Sequence, residues 1–110
     1  MVPMSEDSRH AAVQTARALI SGDIPMPEGC VCLFHLSHDL VPDWRVDPDL
    51  VIFGVVASSC DHLPLGDVRK LWSNDALAKA DAEIASLSAF YRSEVVDACS
   101  NVIARFGRVN

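Results

Sequence analysis

One apolar stripe through the last third of the chain decides most of what the chain can become. Leu77, Ala80, Ile84, Leu87, Tyr91, Val95, Ala98, Val102 and Phe106 recur at intervals of three or four, with polar residues between them. That spacing puts them on one face of an α-helix. Ser73 stands where an N-cap belongs and Gly107 where a helix stops. Asp75, Asp81 and Glu83 come early, Arg105 and Arg108 late, the order the helix dipole favours. The pattern predicts a helix over 74–106, ~50 Å long at 1.5 Å per residue. In a chain of 110 residues, the remaining elements must fold back onto it to cover the stripe.

Those elements also read as helices. Ser5 caps a first one, with Glu6 and Asp7 in its opening turn. Ala12, Val13, Ala16, Leu19 and Ile20 form its apolar face, and Gly22 ends it. Pro27 suits the first turn of a second helix. Its inner stripe is Cys30, Leu33, Phe34, Ser37, Leu40 and Val41, and Pro42 terminates it. The run Leu50 to Ala57 is ambiguous, because its β-branched residues also suit a buried strand. Asp47-Pro48-Asp49 is nonetheless a helix start, with an N-cap, a proline at N1 and an acid at N2. No second strand is present to pair with it, and a lone strand leaves its backbone groups unsatisfied. The expected fold is therefore all-α: a single domain over residues 1–110, with three short helices packed antiparallel on one long C-terminal helix. An α+β fold is the alternative if residues 50–57 form a strand.

Half the residues are apolar, enough for one core. The longest apolar run falls short of the ~18 residues a spanning helix needs. The acidic N-terminal residues contain no apolar leader segment, which points to the cytoplasm and away from membranes. A net charge of −6 argues against nucleic-acid binding, which needs a basic footprint. It suits a basic protein partner. The four cysteines, at 30, 32, 60 and 99, are expected reduced and mostly buried.

Few constellations could carry chemistry. Cys30, Cys32, His35 and His38 are zinc-ligand types, and Cys32, His35 and His38 follow one another at i, i+3, i+6. Zinc sites want a loop between the ligand pairs, so these are weak metal candidates. No cofactor is expected. Cys60 beside Asp61 and His62 resembles parts of a nucleophilic site, but consecutive residues seldom face each other. Asp47/Asp49 and Asp81/Glu83 lack the shared cleft that acid–base work requires.

The segment Asp61 to Trp72 is the densest in charge and turn signals. Leu63-Pro64-Leu65-Gly66 predicts a tight corner, with Gly66 at positive φ, and Asp67 is placed to cap a short turn behind it. Trp72 reads as a plug at the foot of the long helix. Three functional readings follow. The leading one is a non-enzymatic protein-binding module with acidic loops at Asp43–Asp49 and Asp61–Asp67. Asp43, Trp44, Asp47, Asp61, His62, Asp67 and Arg69 would form its contact residues, with Trp44 and Arg69 as anchors. The second is an enzyme or ligand-binding domain with Asp61, His62, Asp67 and Arg69 around one cleft. The third is a zinc-stabilised domain.

The Asp61–Gly66 turn, Val68 to Ser73, Ala76 to Ile84 and Phe90-Tyr91-Arg92 together resemble a family of small bacterial proteins without an assigned function. The resemblance extends to the stretch from Ala16-Arg17 to Gly22 and to Glu28-Gly29-Cys30. It implies a whole-domain likeness with no catalytic motif. Small acidic proteins of this build are also similar to toxin-neutralising immunity proteins, which implies a toxin or host-cell protein as partner.

Overall fold

In the computed structural model, residues 6–107 are described; the Ser5 cap and Arg108 lie outside them. The fold is all-α. Helix α1 spans Glu6–Ser21, α2 Met26–Leu40, α3 Val51–Ser59 and α4 Asn74–Phe106, with 3₁₀ turns at Trp44–Val46 and Gly66–Leu71. The strand alternative at 50–57 is set aside: that run is helical.

The expected punctuation is in place at most boundaries. After α1 the Asp23 N–H donates to Ala18 O at 2.9 Å and the Gly22 N–H to Leu19 O at 3.3 Å. This paired closure requires a left-handed residue, and Gly22 supplies it at φ 82°. Helix α2 ends with Val41 extended before Pro42. The Ser73 hydroxyl accepts from the Ala76 N–H at 3.2 Å and caps α4. Asp47 is not the N-cap expected of it: it accepts the Asp49 N–H at 3.0 Å within the preceding turn, and Leu50 holds the N-cap position without a side-chain cap. The regular helix begins only at Val51, after a turn closed on the Asp47 carbonyl.

Helix α4 is the spine and runs the length of the 50 × 29 × 25 Å molecule. Its largest partner is α1; α2 packs on α1 and α3, and α3 returns to α4. The core gathers Leu33 and Leu40 of α2, Leu50, Phe53 and Val56 around α3, and Val95, Cys99 and Val102 of α4. The stripe on α4 is unevenly covered. Val95, Ala98, Val102 and Phe106 are buried, whereas only Ala80 is buried in the first half of the helix. Leu77, Ile84, Leu87 and Tyr91 are half-covered there. The shorter helices enclose the C-terminal half and leave the N-terminal half protruding. Helix α3 is apolar all round but not fully enclosed, since Val55 faces solvent.

Candidate functional site

The corner from Cys60 to Ser73 is built on the protruding half of α4. Pro64 is buried at the bend and Gly66 takes φ 67°, the left-handed conformation expected there. A 3₁₀ turn has three residues per turn, so positions i and i+3 eclipse. Gly66–Leu71 therefore sorts its side chains into three rows. Arg69 turns inward to α4, Asp67 and Lys70 share a second side, and Val68 and Leu71 share the third.

Two side-chain links pin this corner. Arg69 donates from Nη1 to Asp81 Oδ1 at 2.8 Å and from Nη2 to Oδ2 at 3.1 Å. It also donates to the Pro64 carbonyl at 3.4 Å. Such a bidentate fork fixes orientation as well as distance. His62 Nε2 and the Glu83 carboxylate form the second link through a short hydrogen bond. Asp67 meets Lys70 only at 3.8 Å and is fully exposed. It does not cap the turn as expected: Leu65 precedes the turn with no side-chain cap.

The Arg69 hydrogen bonds hold the Asp81 carboxyl below its ordinary value of 3.8. A depressed carboxyl stabilises the fold fully above that ordinary value. The contribution is lost as pH falls through the lower native value. NMR titration of the Asp81 carboxyl carbon should therefore show a midpoint below 3.8 that moves up in Arg69→Ala. Identical midpoints in the two proteins would remove the link.

The second acidic loop is elsewhere. Asp43 caps the first 3₁₀ turn by accepting the Arg45 N–H, and the same carboxylate takes Arg45 Nε at 2.9 Å. Asp47 and Asp49 converge on Arg105 Nη1 at 2.9 and 3.1 Å, near the C-terminal end of α4. The Asp47 side chain is only 10 % exposed. The residues holding the two loops, Asp81 and Arg105, stand ~36 Å apart along the α4 axis. The loops themselves lie at the two ends of α3, and Trp44 of the first and Asp61 of the second line one groove.

Neither expected anchor is free. Arg69 is committed to Asp81. Trp44 is half-buried, edge-on to Phe34 at 5.0 Å between centroids. Its ring fills the space in which Gly54 has no side chain. Trp72, read as a plug, is instead 38 % exposed, beside Leu71 at 84 % and Val68 at 44 %. Sequence reasoning passed over Val68 and Leu71 altogether. The three-residue spacing that pairs them was the available signal.

The four residues of the cleft reading separate. A groove of about 480 Å³ beside the corner is lined by Asp61, with Phe34, His35, Trp44 and Cys60. His62, Asp67 and Arg69 are not part of its lining. Cys60 is buried, and that burial raises its thiol pKa, with the Glu83 charge adding to the rise. This opposes the thiolate a nucleophile needs.

The zinc reading also separates. Cys30 is buried in the core and Cys32 exposed, its sulfur 3.8 Å from the Thr15 hydroxyl. His38 Nδ1 lies against the carbonyls of Phe34 and His35. Among the described residues no three His, Cys, Asp or Glu side chains gather as a metal site. Burial pushes the Cys30 and Cys99 thiols up to about 12. Native protein should accordingly expose Cys32 alone to an aromatic disulfide reagent at neutral pH, with the other three reacting only in denaturant. Rapid native labelling of Cys60, located by peptide mapping, would contradict this packing.

No described helix is long and apolar enough to cross a membrane. No family model matches the chain, and no curated protein or solved structure matches it.

Proposed function

We propose that the chain is a non-enzymatic protein-binding module that meets a basic partner on the corner ridge of Val68, Leu71 and Trp72. The observation that carries this reading is the exposure of these three side chains on a turn tied to α4 at both His62 and Arg69. Large apolar side chains in water favour burial against a partner. A pinned turn also loses little freedom on binding, so more of the contact energy appears as affinity. Trp is among the residues that dominate interface energetics. Asp61, Asp67 and Asp75 border the ridge, all exposed. They supply the polar rim that surrounds an apolar interface centre, with the charge to attract a basic surface.

His62 and Arg69 act in this reading as positioning residues, not as contacts. Asp43, Trp44 and Asp47 leave the contact set because their side chains are engaged within the fold. An immunity-type inhibitor of a basic toxin, acting in the cytoplasm, is one form of the proposal, by analogy with other small acidic proteins.

The test is affinity capture from the native host with wild-type and Leu71→Asp baits, quantified by mass spectrometry. The expected result is a basic protein strongly depleted from the Leu71→Asp capture, while both baits show the same helical circular dichroism. Equal recovery of every captured protein by the two baits would refute the ridge.

A further inference from the structure

A different cleft lies between the end of α1, the start of α2 and the middle of α4. Its volume is about 380 Å³, and Leu19, Ile24, Met26, Ile84 and Val95 are among its walls. No aromatic ring lines it, so it has no stacking platform for a base or an aryl group. The polar side chains on its lining are Ser88 and Arg92, with the Cys99 thiol, and no carboxylate is among them. In this it differs from the groove at the corner, which carries Asp61, and from the groove between α3 and α4, which carries Glu94 and Asp97.

Among the described cations Arg17, Lys79 and Arg92 make no ion pair, and of these three Arg92 alone lines the cleft. Arg45, Arg69, Lys70 and Arg105 each pair with a carboxylate, and Arg9 lies over the Phe106 ring. Arg92 makes no ion pair with any described residue, although it stands at the mouth of an apolar cleft. The carboxylate of Asp23, just past α1, is taken by the Ser21 hydroxyl at 2.8 Å.

The chemistry of the lining defines the ligand. Small-molecule sites are mainly apolar clefts of ~300–1,000 Å³ in which a few polar groups fix orientation. This cleft is at the small end of that range. A guanidinium selects planar anions, carboxylate above all, through two parallel hydrogen bonds. Apolar walls without an aromatic ring select an alkyl chain. The net negative charge of the protein disfavours small free anions, so affinity must come from burying the apolar part of the molecule.

We propose that this cleft binds a medium-chain alkyl carboxylate, its head group on Arg92 and Ser88 and its chain along Leu19, Ile24, Ile84 and Val95. The site is separate from the corner ridge and independent of the protein-binding reading.

The test is calorimetric titration of the full chain with decanoate, held below its micellar range, alongside decylammonium and butyrate. Decanoate should bind saturably at one site per chain, with amide shifts centred on Leu19, Ile24 and Ser88. Decylammonium and butyrate should each bind at least tenfold more weakly. Arg92→Ala should weaken decanoate roughly tenfold or more, as loss of a charge-assisted hydrogen bond implies, and Arg92→Lys should restore part of it. Arg92 is exposed, so an unchanged circular dichroism spectrum is expected for both variants. The proposal is overturned by any of three results: no saturable decanoate binding, equal binding of decylammonium, or an Arg92→Ala protein that binds decanoate as wild type does.

Discussion

Replacing Phe53 with alanine should cost about 3–5 kcal/mol of folding stability. Phe53 has no exposed surface and sits where α3 meets the rest of the core. The same core holds Leu33, Leu40, Leu50 and Val56, all essentially buried. Helices cannot close around a missing ring without shifting whole elements, so a cavity is left in addition to the lost transfer energy. A domain of this size has ~5–15 kcal/mol in all, and the loss corresponds to a melting temperature lower by roughly 15–25 °C. Urea denaturation should show the midpoint fall with the slope unchanged. Phe90→Ala is the matched comparison. Phe90 is 74 % exposed on α4, and its removal should change stability by less than about 0.5 kcal/mol. Similar losses for the two phenylalanines would mean that α3 is not packed as described.

Gly54→Val should cost about 3 kcal/mol, at the upper end of overpacking effects. Gly54 is in the middle of α3, where a larger residue should help the helix by up to ~1 kcal/mol. The opposite sign is expected because a Cβ at this position runs into the six-membered ring of Trp44. Trp44 cannot simply rotate away, since Phe34 packs edge-on against it. The loss should therefore depend on Trp44. In a Trp44→Ala background, Gly54→Val should cost less than about 1 kcal/mol, a coupling of ~2 kcal/mol in a double-mutant cycle. Additive losses would show that the clash lies with other atoms.

The elements of this fold are visible in the sequence because local rules determine them. Ser73, Gly107 and the stripe between them define α4 by capping and periodicity, and Gly22 ends α1 by its left-handed turn. The helix at 51–59 could be chosen over a strand because a lone strand has nothing to pair with. The corner was legible for the same reason, from Pro64 and Gly66.

What could not be read was which side chain meets which. Arg105 joins Asp47 and Asp49 across more than fifty positions, and Arg69 joins Asp81 across the corner. Nothing local encodes such pairings, which arise when the helices dock. The same ignorance made every acidic residue look free and Arg69 look like an anchor. Trp72 was misread from the preference of large apolar residues for the interior. A short 3₁₀ turn at the open end of a long helix offers no interior to enter. Trp44 was ambiguous until Gly54 could be seen as the gap it fills.

The corner ridge is most directly tested by the affinity of the captured partner for two variants measured side by side. Leu71→Ala/Trp72→Ala removes the ridge, while Asp43→Lys/Asp47→Lys/Asp49→Lys reverses the other acidic loop. The ridge variant should bind at least about thirtyfold more weakly, as loss of a hot-spot side chain worth ~2 kcal/mol or more implies. The loop variant should lose no more than a few-fold after its own stability has been checked by denaturation. Intact binding by the ridge variant, together with loss in the folded loop variant, would place the contact surface on the opposite end of α4.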